Sequence, residues 1–198
     1  MNTPAIHDAK REIRRETRER VRSISEDLLG QRSNAATRLL LERREWTDAH
    51  CILGYLALND ELNFSTVLKA TLASGKTIAL PRFIPDRGCY EAAVLPEKEG
   101  FASLSFGRFG VLEPSPQSKA LPLNQLDFVL VPGVAFDSSG RRLGRGKGFY
   151  DRLLAETNKA CIRCGVALEE QLVAAVPAEA HDIPMNFILT PSRWIVCS

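Results

Sequence analysis

Apolar residues in this chain fall into short unbroken runs set between longer, polar and periodic stretches, and that alternation predicts its elements. Residues 51–58 (CILGYLAL), 128–131 (FVLV) and 162–168 (IRCGVAL) read as strands. Such continuous runs suit strands covered on both faces, as in a parallel sheet. Residues 77–83 and 89–95 are joined by Pro-Asp-Arg-Gly and read as a β-hairpin. Residues 101–106 alternate apolar and small polar side chains and suggest a further strand, and 187–190 and 194–196 make two short ones. Helical spacing covers residues 64–73, a stretch from Phe149 to about 157, and a helix capped by Ser25 that reaches about Trp46 with Leu28, Leu29, Ala36, Leu39 and Leu40 on its apolar side. Residues 6–22 carry charges of both signs with few apolar positions, which predicts an exposed helix laced by i,i+4 pairs. Residues 108–110 lead into Glu113-Pro114 and a Pro/Ser stretch that ends near Pro122 and reads as a loop that could act as a lid, and residues 172–176 suit helix or strand equally. Strands alternating with helices predict an α/β fold: one layered domain over residues 1–198, with a mostly parallel central sheet flanked by helices, plus the hairpin.

Composition narrows the classes. With 26 Lys+Arg against 24 Asp+Glu the net charge is +2, so no broad basic field argues for nucleic acid. No apolar run approaches membrane-span length and the N-terminus has no signal-peptide core; a monomer in the cytoplasm is the expectation. The five cysteines are odd in number and scattered, which is no disulfide framework. Cys161 and Cys164 have CxxC spacing, but on a strand their thiols point to opposite faces. They are expected to be reduced structural residues.

The candidate chemistry is concentrated in residues 131–151, VPGVAFDSSGRRLGRGKGFYD. A buried strand ends there, and a polar loop follows that interleaves Arg141, Arg142, Arg145 and Lys147 with Gly144, Gly146 and Gly148. Alternating glycines permit positive φ and close backbone approach. Their successive amides can form a concavity for phosphate oxygens. The spacing is neither a Walker A loop nor a dinucleotide fingerprint. A polyphosphate cradle is the functional reading, and a plain basic turn the bland one.

Elsewhere the residues leave two readings open. Lys10 and Arg14 share one helix face, which can be a solvated face or an anion contact. Glu61 follows a predicted strand end, the usual place for ligands in open α/β sheets, yet it could equally be surface, with Asp60 or Asn63 as helix caps. Phe109 could pack a loop on the core.

RLGRGKGFYDRLL preceded by PGVAFD resembles the signature of the 5-formyltetrahydrofolate cyclo-ligase (methenyltetrahydrofolate synthetase) family. The likeness extends to Lys10 and Arg14, Glu61, Pro81-Arg82 and His181-Asp182. It implies a fold like that of the sugar-phosphate isomerase and CoA-transferase group. The implied reaction is ATP- and Mg2+-dependent cyclisation of 5-formyltetrahydrofolate to 5,10-methenyltetrahydrofolate, with release of ADP and phosphate. Transferred residue by residue, the resemblance gives Lys10, Arg14, Arg142, Gly144, Arg145, Gly146, Lys147 and Gly148 to the nucleotide, with Lys147 and Arg145 on the transferring phosphoryl group. Glu61, Phe109, Phe149 and Tyr150 go to the folate, and Asp151 with Asn186 to magnesium.

Two positions depart from the family pattern. Phe149 stands where a tyrosine is usual, removing one hydroxyl, and Asn186 stands where an aspartate is common, removing a charge from the implied metal site. Two rival readings remain: phosphoryl activation of a different formamide substrate, and a non-catalytic protein binding single-stranded RNA through Phe149-Tyr150 and the flanking cations. The near balance of charge offers RNA little support.

Overall fold

The computed structural model of the chain describes residues 3–107, 110–179 and 182–198; Phe109 and His181 lie outside them. In chain order the helices are α1 (Thr3–Arg22), α2 (Glu26–Leu41), α3 (Arg44–Thr47), α4 (Ser65–Ala73) and α5 (Phe149–Ala155). The strands are β1 (Cys51–Leu53), β2 (Thr77–Ile84), β3 (Cys89–Val94), β4 (Leu104–Phe106), β5 (Leu112–Pro114), β6 (Ala120–Leu121), β7 (Phe128–Pro132), β8 (Ala135–Phe136), β9 (Arg142–Leu143), β10 (Ile162–Val166), β11 (Phe187–Leu189) and β12 (Trp194–Val196).

The main sheet runs β12-β11-β10-β7-β1-β2-β3-β6. Its middle strands, β11, β10, β7, β1 and β2, pair in parallel, while β12, β3 and β6 add antiparallel edges. Parallel strands need both faces covered, and β7 shows how the residues comply. Phe128 and Leu130 join a core with Leu40, Trp46 and Leu68 from α2, α3 and α4. Val129 and Val131 point the other way, into a second core with Leu153 and Leu154 of α5. The chain leaves β1 through α4 toward β2 on one side, and leaves β7 through α5 toward β10 on the other. Between the carboxyl ends of β1 and β7 the direction of winding reverses, and an open α/β sheet forms its crevice there.

Several expectations are corrected by packing. The helix expected to run from Ser25 to Trp46 stops at Leu41; Arg43 is extended (φ −92°, ψ 129°) before α3 begins. That break turns Trp46 into the core, edge-on to Phe128 at 5.4 Å between centroids. Residues 51–58 remain largely buried, but the β1 ladder ends at Leu53. A Cβ on Gly54 would come within 2.7 Å of Leu68, so close helix packing requires the glycine. Beyond it the chain peels away from the ladder. α1 is not wholly solvated: Lys10, Thr17 and Val21 are buried along one stripe, and Ile13 packs on Ala135, Leu143 and Val176.

The stretch read as a lid loop contains β5, paired with β4, and β6, which extends the main sheet through β3. Residues 101–106 open as a 3-10 turn before β4. Residues 172–176 form neither helix nor strand, apart from a bridge between Leu172 and Phe136. Cys161 and Cys164 do fall into opposite cores, and the five cysteines are free.

Candidate active site

A cavity of about 390 Å³ opens at the crevice between the carboxyl ends of β1 and β7. One wall comes from the segment after β1, with Tyr55, Leu58 and Glu61. Leu80, Pro81 and Tyr90 line it from β2 and β3, Glu113 from the β4–β5 hairpin, and Pro132 and Gly133 from the end of β7. The remaining wall is the glycine-rich loop and the first turn of α5: Arg142, Gly144, Arg145, Lys147, Gly148, Phe149, Tyr150 and Asp151.

That loop is built from a small hairpin. β8 and β9 pair Ala135 with Leu143 and Phe136 with Arg142, and Asp137 closes the turn between them. Its Oδ1 accepts from the amides of Ser139 (3.0 Å) and Arg141 (3.1 Å), while Oδ2 accepts from the amide of Val176 at 2.8 Å. Phe136 is fully buried and sits where a Cβ on Gly133 or Gly165 would come within 3 Å of its ring. The hairpin is therefore seated by glycine on two strands. After β9 the chain passes through Gly146 (φ +104°) and Gly148 (φ +61°), conformations that L side chains rarely adopt.

Two arginines of the cavity are held by carboxylates. Arg142 is buried; its Nη2 donates to Asp151 Oδ1 at 2.8 Å, and its guanidinium lies 5.7 Å from the centroid of the Tyr150 ring. Arg145 Nη2 donates to Asp60 at 2.6 Å and Glu61 at 2.9 Å. Glu61 is buried and also accepts from the Leu58 amide at 3.1 Å. Burial raises its pKa above the usual carboxylate range, against the pull of the Leu58 amide and Arg145. Lys147 Nζ lies 5.8 Å from the Phe149 ring centroid. Phe149 in turn meets Tyr90 edge-on at 4.9 Å and Phe83 at 5.7 Å.

Comparison with known proteins decides the family. The 5-formyltetrahydrofolate cyclo-ligase family model matches residues 6–191. The chain belongs to the 5-formyltetrahydrofolate cyclo-ligase family. It is 32% identical to the 5-formyltetrahydrofolate cyclo-ligase of Haemophilus influenzae over 184 residues, covering 89% of this chain and 96% of the relative. It is 34% identical to that of Escherichia coli over 153 residues, covering 73% of this chain and 80% of the relative. The solved 5,10-methenyltetrahydrofolate synthetase of Aquifex aeolicus superposes with a TM-score of 0.82 at 28% identity, covering 94% of this chain and 92% of that one.

The residues that this cyclo-ligase resemblance singled out separate into groups. Glu61, Arg142, Gly144, Arg145, Lys147, Gly148, Phe149, Tyr150 and Asp151 share the cavity. Arg14 supports it from outside: its Nε donates to the Gly144 carbonyl at 2.9 Å, and its guanidinium lies under Gly146. Lys10 is buried away from the lining residues, with Nζ 2.8 Å from Glu179 and 3.0 Å from Asp182. Burial lowers its pKa, and hydrogen bonds to the two carboxylates outweigh that and leave it raised.

Asn186 stands apart from these groups. It precedes β11, and its Oδ1 accepts from the amide (2.9 Å) and Nε (3.2 Å) of Arg163, the second residue of β10. The cavity lies at the far, carboxyl end of the same parallel strands, so the structure does not bring Asn186 to Asp151. Phe109 falls outside the described residues.

Tyr55, Tyr90 and Glu113 line the cavity without having been singled out. Glu113 is buried, and its Oε2 accepts from the Phe83 amide at 3.1 Å. A Cβ on Gly107 would collide with that carboxylate at 2.4 Å, so the Gly107 and Glu113 pair marks the hairpin as a cavity wall.

Two donor groups at the cavity are left unpartnered. Among the described residues, the buried Arg142 Nε and the Tyr150 hydroxyl have no hydrogen-bond partner, and such groups ordinarily find one. A resident metal is a poorer fit: no cluster of three His, Cys, Asp or Glu exists among the described residues. Asp151 is a single carboxylate already engaged with Arg142. That suits a magnesium ion carried mainly by substrate phosphates and water, which takes one or two protein carboxylates. No helix among the described residues is long and apolar enough to cross a membrane.

Proposed function

We propose that this protein catalyses the ATP-dependent cyclisation of 5-formyltetrahydrofolate to 5,10-methenyltetrahydrofolate, with release of ADP and phosphate. The observation that carries this reading is the division of the cavity in a cyclo-ligase family member. A buried carboxylate, Glu61, stands on one wall, and a glycine-rich loop bearing Arg145 and Lys147 stands on the other. One side suits hydrogen-bond donors of a heterocycle, the other the oxygens of a polyphosphate.

The chemical obstacle is that a formamide carbon is weakly electrophilic and its oxygen a poor leaving group. ATP, when bound, supplies a phosphoryl group to that oxygen, after which the neighbouring folate nitrogen closes the ring and phosphate departs. The chain's own residues position and neutralise. Lys147 and Arg145 balance charge on the phosphoryl oxygens, and amides of residues 144–148 take further oxygens. Asp151 is the carboxylate for a magnesium ion arriving with the phosphates. Glu61 accepts from pterin N–H groups through charge-assisted bonds. The Tyr150 hydroxyl, buried without a partner, is an available donor. Phe149, Tyr90, Leu58 and Leu80 form an apolar surround that keeps water from the activated carbon. Arg14 holds the loop through Gly144, and Lys10 fixes α1 to the segment around Glu179. The chain is proposed to work as a monomeric unit in the cytoplasm.

The test is direct: mix the protein with 5-formyltetrahydrofolate and magnesium-ATP and follow the methenyl absorbance together with ADP release. Methenyl product formed only with ATP is the expected result. ATP hydrolysis without methenyl product would shift the reading to another formamide substrate.

A further inference from the structure

Arg145 and Glu61 are assigned above to different substrates, yet they hold each other. Arg145 Nη2 donates to Glu61 Oε1 at 2.9 Å and to Asp60 Oδ1 at 2.6 Å. While that fork is closed, Glu61 has one oxygen on Arg145 and the other on the Leu58 amide, so its charge is neutralised and part of its accepting capacity is used. We propose that Arg145 is an exchangeable counter-ion that couples the two substrates, with nucleotide phosphate drawing it from Glu61 and so freeing that carboxylate for the folate. This inference rests on the reading that the cavity takes a folate and a nucleotide.

Three observations carry it. First, the partners differ in exposure: Arg145 and Asp60 side chains are 39% and 41% exposed, Glu61 8%. The arginine therefore has solvent to move into while the carboxylate is fixed. Second, Arg145 sits between Gly144 and Gly146 on the loop that also bears Lys147, so an oxyanion gathered there competes for the same guanidinium. Third, a buried carboxylate stripped of its counter-charge is costly, and burial already pushes Glu61 toward the protonated form. The separated arrangement is therefore populated when new donors replace the arginine, and pterin N–H groups are such donors.

The energetic consequence is cooperativity. Whichever substrate binds first has to break the Arg145–Glu61 contact, and the second binds to a cavity in which it is already broken. By linkage each substrate then tightens the other by the same factor. Asp60 sets the size of that factor. Its side chain is 41% exposed, and it adds a second hold on Arg145. Weakening it shifts the chain toward the separated arrangement before any ligand arrives.

The experiment is calorimetric titration of 5-formyltetrahydrofolate, with and without a saturating non-hydrolysable ATP analogue, on the wild-type chain and on Asp60→Asn. In the wild type the analogue should tighten folate binding by at least about tenfold, within the usual range of coupling. In Asp60→Asn, folate should bind more tightly than wild type without nucleotide, and the gain from the analogue should fall to about threefold or less. The same folate affinity with and without analogue in the wild type overturns the proposal, as does an Asp60→Asn chain with wild-type affinity and wild-type gain. Those results, obtained with an enzyme that still forms methenyl product, leave the functional reading standing. Absence of both folate binding and turnover takes the two down together.

Discussion

Two arginines three residues apart on one loop have opposite fates. Arg142 is sealed: its side chain is 4% exposed, it pairs with Asp151, and it lies beneath the Gly144 backbone. Arg145 is 39% exposed and reaches across the cavity to carboxylates 84 and 85 positions earlier. The first links β9 to the start of α5, both parts of the loop itself, and so shapes the cradle. The second links the cradle to the opposite wall, between groups assigned to different substrates. Burial is what distinguishes a charge that holds the site together from one free to work in it. A sealed pair is costly to break and cannot be exchanged, whereas a pair with one half-exposed member exchanges when new donors reach the carboxylate that member leaves.

The largest expected effect comes from breaking the sealed pair. Arg142→Leu leaves Asp151 without its partner and should cost about 3 kcal/mol, which lowers the melting temperature of a chain this size by roughly 6–12 °C. Arg145→Ala should cost less, because the stranded Glu61 keeps the Leu58 amide as a donor and its raised pKa lets it shed the charge by taking a proton, while turnover collapses. Thermal unfolding and turnover measured on both variants check the contrast. Equal losses of stability would erase the distinction between the two arginines.

The lysine of the loop sharpens the same point. Lys147 lines the cavity beside Phe149 and is assigned to the phosphates. Lys147→Ala should raise the KM for ATP by roughly thirtyfold, the equivalent of one charge-assisted hydrogen bond of about 2 kcal/mol. An unchanged ATP dependence with weakened folate binding would move Lys147 to the other substrate. Next in size is Glu61→Gln. It keeps the shape but replaces one acceptor with a donor that faces the pterin's own donors. The KM for folate should rise by about tenfold, the loss of roughly 1.4 kcal/mol, with ATP affinity in the absence of folate within about threefold of wild type, since the Arg145 contact is also altered. A preserved folate KM would return Glu61 to the role of a buried wall residue.

How much of this was legible from the residues depended on how local the cause was. The glycine-rich loop of the cavity could be picked out because its glycines and cations are close together in the chain. The strands β7 and β10 could be read because burial on both faces writes an unbroken apolar run. β4 was anticipated within residues 101–106, but its partner β5 and the β8–β9 hairpin were missed. Strands of two or three residues carry no periodicity, and Glu113 faces the cavity through pairing with a segment across a turn. The Arg145 fork was also invisible, because it joins residues brought together by the crossover from β1 to β7. Lys10 was grouped with Arg14 by helix spacing, correctly as to face; which group each would meet depended on where residues 179 and 182 fold back.

Asn186 tests that lesson most sharply, because the resemblance and the register disagree about it. As a metal ligand it would have to stand beside Asp151, and Asn186→Asp would then restore a charge and tighten magnesium. The sheet puts it elsewhere. Cys164 pairs with Phe187, so Asn186 lies level with Arg163 at the amino end of the parallel strands, and its side chain is committed to the Arg163 amide and guanidinium. An aspartate there keeps both acceptor contacts and adds an ion pair with Arg163, a partly exposed group, worth about 0–1 kcal/mol. The half-saturating magnesium concentration should therefore stay within about twofold of wild type, because a charge at the opposite end of the strands is screened from the cavity. Activity titrated against magnesium in the two proteins reads this directly. A shift of tenfold or more toward lower magnesium would mean that the end of the chain rearranges to bring residue 186 to Asp151, and the register seen between β10 and β11 would not be the working one.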